Sequence, residues 1–177
     1  MADQHLILTV IGDDRPGLVE ELATAIAVHD GNWLESSLAH LSGKFAGIVR
    51  VAAPANRVEP LKAALAKLGG LKVSAEVAAD EKSAPHFPTI GRRLTLNLVG
   101  HDRIGIVKEV AQVLARHAVN VEELATYTSS APMSAEVLFH AEAELFTAPD
   151  FDARALKDEL ERLSDDLMVD ITLGETL

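Results

Sequence analysis

An apolar run, Leu6-Ile7-Leu8-Thr9-Val10-Ile11, ends at Gly12 and predicts a strand over 5–12. The polar stretch Asp13-Asp14-Arg15-Pro16 follows, and the pattern then turns helical. Leu18, Val19, Leu22, Ala25 and Ile26 share one face, while Glu20, Glu21 and Thr24 turn away. Asp14 is placed as the helix N-cap, its carboxylate accepting the Gly17 amide. Pro16 then falls in the first turn, where a missing N–H costs nothing. Gly31 suits a left-handed position at the helix end. Residues 32–41 read as a strand, Ser42-Gly43 as a turn and 44–51 as the returning strand. Val58, Leu61, Leu65 and Leu68 recur at helical spacing, and alternating Leu71, Val73, Ala75 and Val77 close the unit. The order β-α-β-β-α-β is the split βαβ arrangement of a ferredoxin-like domain, an antiparallel sheet with both helices on one face.

The pattern breaks over 79–91, a polar stretch with Pro85 and Pro88 that reads as a linker. The division is therefore a first domain over 1–78, a linker over 79–91 and a second domain over 92–177. The second repeats the order of the first. Residues 94–100 read as a strand, and Val107, Val110, Val113 and Leu114 mark the inner face of a helix. Residues 120–128 and 133–141 form a strand pair. Asp152 caps a helix carrying Leu156, Leu160, Leu163 and Leu167, and 168–173 close the sheet. The fold class is α+β, two tandem ferredoxin-like βαββαβ units. A constant shift lays Gly12 on Gly100, Asp14 on Asp102, Arg15 on Arg103, Gly17 on Gly105, Glu21 on Glu109 and Asn32 on Asn120. Loop residues recur along with core residues, which packing alone does not demand.

Composition narrows the chemistry. Hydrophobic residues make up 48% of the 177 residues but aromatics only 4%, so the cores are aliphatic. A formal net charge of -11 disfavours direct nucleic-acid binding, which depends on Lys and Arg displacing counterions. Without cysteine there is neither a disulfide framework nor a thiolate metal site. No apolar run approaches the ~20 residues that span a bilayer, and the amino terminus lacks a basic start and apolar signal core. A cytoplasmic protein without a membrane segment is expected. No phosphate loop, nucleophile elbow or zinc-protease helix is present, and the seven histidines form no metal-ligand spacing. His29 and His117 sit at helix C-termini, where the dipole favours them, and Trp33 reads as core or interface. Asp165-Asp166 and the glutamates at 142 and 144 read as solvated surface.

Asp14-Arg15-Pro16-Gly17-Leu18-Val19 after a strand, with Asn32 opening the next strand, resembles the ACT domain. Tandem copies filling the chain are similar to the glycine cleavage system transcriptional repressor family. The likeness extends through Asn32-Trp33-Leu34-Glu35-Ser36, Phe45-Ala46-Gly47-Ile48, Ser130-Ala131-Pro132-Met133 and Val169-Asp170-Ile171. The second loop departs from it, with Ile104 in place of proline and His101 where the first copy has Asp13. The resemblance implies a stand-alone regulator, not an enzyme, with no cofactor. Such a protein binds a small amino acid, glycine being the first candidate, and acts on a protein partner such as a transcriptional activator. A sensor that regulates a metabolic enzyme by direct contact is the alternative. Exposed outer strands invite pairing, and a homodimer is expected.

Asp13, Asp14, Arg15, Gly17 and Asn32, with Asp102, Arg103, Gly105 and Asn120, are the candidate ligand-binding residues. A helix start offers free N–H groups to a carboxylate, and glycine lets the ligand approach the backbone. Asp14 or Asp102 could hold an ammonium, and Asn32 or Asn120 could donate and accept. A second reading stands beside this one. The aspartates cap, the glycines pack, the asparagines make turn bonds, and the two arginines serve structure or an interface.

Overall fold

A computed structural model describes residues 3–78, 90–130 and 136–175. The chain divides into two compact units, Met1–Pro85 and His86–Leu177. The linker expected over 79–91 lies outside the described residues from 79 to 89.

In the first unit the order is β1 (Asp3–Asp13), α1 (Leu18–Val28), β2 (Asn32–Leu41), β3 (Lys44–Pro54), α2 (Val58–Leu65) and β4 (Leu71–Val77). A short 3-10 turn, Ala55–Arg57, precedes α2. The sheet order is β2-β3-β1-β4, every pairing antiparallel. The second unit runs β5 (Arg92–His101), α3 (Ile106–Arg116), β6 (Asn120–Ser130), β7 (Val137–Thr147), α4 (Ala153–Leu167) and β8 (Val169–Glu175). Its sheet order is β6-β7-β5-β8, also antiparallel. The expected α+β class and both ferredoxin-like units are borne out.

Each unit has its own aliphatic core. Leu6, Leu8 and Val10 of β1 meet Leu22 and Ile26 of α1 and Leu61 and Leu65 of α2. Leu94, Leu96 and Leu98 of β5 meet Val110, Val113 and Leu114 of α3 and Leu156 and Leu160 of α4. The alternate residues of the central strands, such as Thr9, Ile11, Asn97 and Val99, lie on the sheet face without helices and are exposed.

Several local expectations need correction. The N-cap of α1 is Gly17, at φ +92, and no side chain caps the helix, so the Asp14 cap is wrong. Pro16 therefore precedes the helix instead of sitting in its first turn. Asp30, not Gly31, takes the left-handed position after α1, at φ +58. Gly31 is required for space, because a Cβ there would lie 2.8 Å from the Ile26 carbonyl oxygen. β7 runs later than the expected 133–141, and Met133 lies outside the described residues. Its buried alternation of Ala141, Ala143 and Leu145 with Glu142 and Glu144 is built partly of alanines, which carry little strand signal. The Asp152 cap of α4 is present, its carboxylate accepting from the amides of Arg154 at 3.0 Å and Ala155 at 3.3 Å.

Candidate functional site

The first loop leaves β1 at Asp13 and enters α1 at Leu18. Its path is fixed by backbone first. The Asp14 amide donates to the Gly43 carbonyl at 2.9 Å, tying the loop to the β2–β3 turn. Asp13 is ion-paired with Lys44, its register partner across the sheet. Hydrogen bonding from Lys44, and then its charge, holds the Asp13 carboxyl below the ordinary range. The Asp14 carboxylate faces His40 Nε2 at 3.6 Å.

Arg15 turns back onto its own unit. Its two terminal nitrogens donate to the two Glu21 carboxylate oxygens at 2.8 Å each, and Nη2 also donates to the Gly69 carbonyl at 3.0 Å. This is the bidentate geometry an arginine offers a carboxylate. The Arg15 hydrogen bond holds the Glu21 carboxyl below its ordinary range, and Glu21 in turn raises the Arg15 value. Arg15 thus clips the loop, α1 and the turn before β4 together through bonds from both terminal nitrogens. The repeat of Glu21 as Glu109 was the sequence signal for this partner.

Gly17 has nothing within 4 Å of where a Cβ would be, yet its φ of +92 is one that L side chains rarely adopt. Its role is therefore conformational as well as spatial: a left-handed residue delivers the chain into α1 with the first amides uncapped. An open groove of about 440 Å³ lies at this end of the sheet, lined by Ile11, Asp13, Lys44, Gly70 and Lys72 among others.

The second loop repeats the backbone with fewer ties. The Asp102 amide donates to the Val137 carbonyl at 2.9 Å, and Gly105 is the N-cap of α3 at φ +96. Arg103 gives Glu109 one hydrogen bond, at 2.8 Å. His101 faces Glu136 at 3.6 Å, and Ile104 is fully exposed.

Asn32 and Asn120 lie away from the loops of their own units. Asn32 pairs with Ala52 and Ala52 with His5, whereas the loop follows the Asp13–Lys44 pair. The eight steps from Lys44 to Ala52 span roughly 27 Å at ~3.4 Å each. Asn120 pairs with Phe146 and Phe146 with Arg93, while the second loop follows the His101–Leu138 pair. Within a unit the structure groups Asp13, Asp14, Arg15 and Gly17, or Asp102, Arg103 and Gly105, and leaves the asparagine at the opposite sheet end. Among the described residues no acidic, histidine or cysteine group is arranged to hold a metal ion. No described helix is long and apolar enough to cross a membrane.

Two βαββαβ modules, each entering its first helix through a left-handed glycine, define a tandem ferredoxin-like protein. The ACT domain model matches residues 4–74 and 92–173, and the chain belongs to the ACT domain family. A crystal structure of an unknown protein from Galdieria sulphuraria is 30% identical, covers 99% of this chain and 100% of its own, and superposes with a TM-score of 0.85. A candidate glycine cleavage system transcriptional repressor has the same fold at 20% identity, covering 99% of each chain with a TM-score of 0.69. No curated protein matches the chain.

Proposed function

We propose that this chain is an amino-acid-responsive regulator of the glycine-cleavage-repressor type, acting in the cytoplasm by contact with a protein partner and without binding DNA itself. The carrying observation is the uncapped helix start behind Gly17, repeated behind Gly105, in a chain of the ACT domain family. Free helix amides suit the carboxylate of an amino acid, and Asp14, in the same loop, suits its ammonium. The fold shared with a candidate glycine cleavage repressor makes glycine the first ligand to try. Arg15 is assigned to holding the loop, since Glu21 and Gly69 already occupy it.

Because Asn32 stands at the other end of the sheet from its own loop, a ligand touching both must draw on two modules. The proposed homodimer is the arrangement that would bring the asparagine of one copy to the loop of another. Titration calorimetry with glycine and then the other amino acids tests this reading, on the wild type and on Asn32→Ala. The expected result is heat of binding that Asn32→Ala removes while the fold is kept. No heat with any amino acid would refute the ligand site.

A further inference from the structure

The turn between the last helix and last strand occupies one place in both units but is built in opposite ways. In the first unit it is Gly69-Gly70, with Gly70 at φ +88. Lys62 and Lys67 stand at that helix end, and Arg15 donates to the Gly69 carbonyl. A glycine in the left-handed region and cations at a helix C-terminus are what local physics favours. Strand register puts Met168 at the position of Gly70, since Gly12 pairs with Leu71 and Gly100 with Val169. Met168 has φ +52, and 80% of it is exposed. The last turn of α4 has no basic residue and carries Asp165-Asp166, with Asp170 just beyond. Among the described residues none of these three carboxylates has an ion-pair partner.

Each of these choices opposes the fold. An L side chain in the left-handed region is strained, and anions at a helix C-terminus meet the negative end of its dipole. Ile104, fully exposed where the first unit has Pro16, adds nothing to the core. An open groove of about 530 Å³ lies beside the turn, with Val99, Leu138 and Met168 as apolar walls and His101, Asp165 and Asp170 as polar ones. Leu138 and Asp170 replace Lys44 and Lys72 of the first unit, so the corresponding groove has gained apolar surface and reversed its charge.

We propose that this end of the second unit is a docking surface for a basic amphipathic segment of a partner protein. Apolar side chains of the segment cover Met168, Leu138 and Ile104. Its lysines or arginines meet Asp165, Asp166, Asp170 and the negative end of α4, as Arg15 meets the turn of the first unit. The three unpaired carboxylates commit the occupant to positive charge. A second copy of this chain, itself carrying a net charge of -11, is the poorer fit. The docking surface rests on the proposed protein contact for its biological sense. Its test contains no amino acid, so its failure leaves the ligand reading standing.

The full chain is titrated into a fluorescent peptide of about 18 residues made only of Leu and Lys in helical order, ~27 Å long when helical. A scrambled peptide of the same composition serves as control. The helical-order peptide is expected to bind more tightly than the scrambled one. Met168→Gly with Ile104→Pro, and separately Asp165→Asn with Asp170→Asn, are each expected to weaken it at least about tenfold, ~1.4 kcal/mol. Lys72→Ser in the first unit is expected to leave it unchanged, and melting curves confirm that the variants fold. Equal binding of the two peptides, no binding of either, or indifference to the second-unit substitutions would each overturn the proposal. So would light scattering in which Met168→Gly converts a dimer into a monomer, which would give the surface to a second copy.

Discussion

The two loop ends begin from the same residues and finish differently. Gly17 and Gly105 share a backbone conformation, at φ +92 and +96, and each hands an uncapped helix its start. Around the first glycine, Arg15 holds both Glu21 and the turn at Gly69, and Lys44 neutralises Asp13. Around the second, Arg103 reaches Glu109 alone, and the neighbouring turn presents Met168 and unpaired aspartates. A repeated motif therefore fixes the backbone of a loop but not its surroundings. The first loop end is tied internally around uncapped helix amides, whereas the second exposes apolar side chains and unpaired acidic groups.

The largest expected effects strain the backbone of the loops themselves. Gly12→Ala would put its Cβ 2.2 Å from the Gly70 carbonyl oxygen. Backbone neighbours yield poorly, so a loss of about 2–3 kcal/mol is expected by denaturant unfolding. Gly17→Ala and Gly105→Ala meet no such clash, but each places an L side chain at positive φ and is expected to cost about 1–2 kcal/mol. A valine at Gly17 would therefore report backbone strain as much as ligand access, and affinity must be compared in a variant whose fold is verified. Next in size is the arginine comparison. Arg15→Ala is expected to lower the melting temperature of the first unit more than Arg103→Ala lowers that of the second. Equal shifts would remove the asymmetry.

A smaller effect lies in acid. Glu21 is held below its ordinary value by the Arg15 hydrogen bond and charge. The unfolded chain takes up this proton at higher pH, near ~4.3, than the folded one. The contribution of the clip to stability is thus complete above that value and lost as the pH falls through the lower folded value. Carboxyl titration by NMR is expected to show Glu21 below the ordinary range in the wild type, and Arg15→Ala to restore it. The smallest effect on stability is at the turn. Met168→Gly is expected to change stability by between nothing and a gain of about 1 kcal/mol, because strain is relieved while little packing is lost. A clear loss would show that Met168 serves the fold.

The fold was legible because apolar period and turn chemistry agreed nearly everywhere. Strand β4 and the starts of β2 and β6 fall where alternation and asparagine placed them. The helix start was misread for a physical reason. Asp14 is a good cap residue by type, but a left-handed glycine three residues later moves the helix origin beyond its reach. The loop residues were legible as a group from their repetition. That Asn32 sits some eight residues along the sheet from them depends on register, which local pattern does not specify. The repeat of Glu21 as Glu109 hinted at the partner of Arg15, but its bond to the Gly69 carbonyl, 54 residues away, forms only when loop, helix and turn meet.

The most direct test of the account is a ¹⁵N amide-shift titration of the full chain with glycine, and with each other amino acid if glycine is silent. The account predicts saturable changes centred on the amides of Gly17, Leu18 and Val19, with those of Gly105, Ile106 and Val107 little affected. Equal, simultaneous changes at both helix starts would contradict the division of roles. No change at either with any amino acid would contradict the ligand site itself.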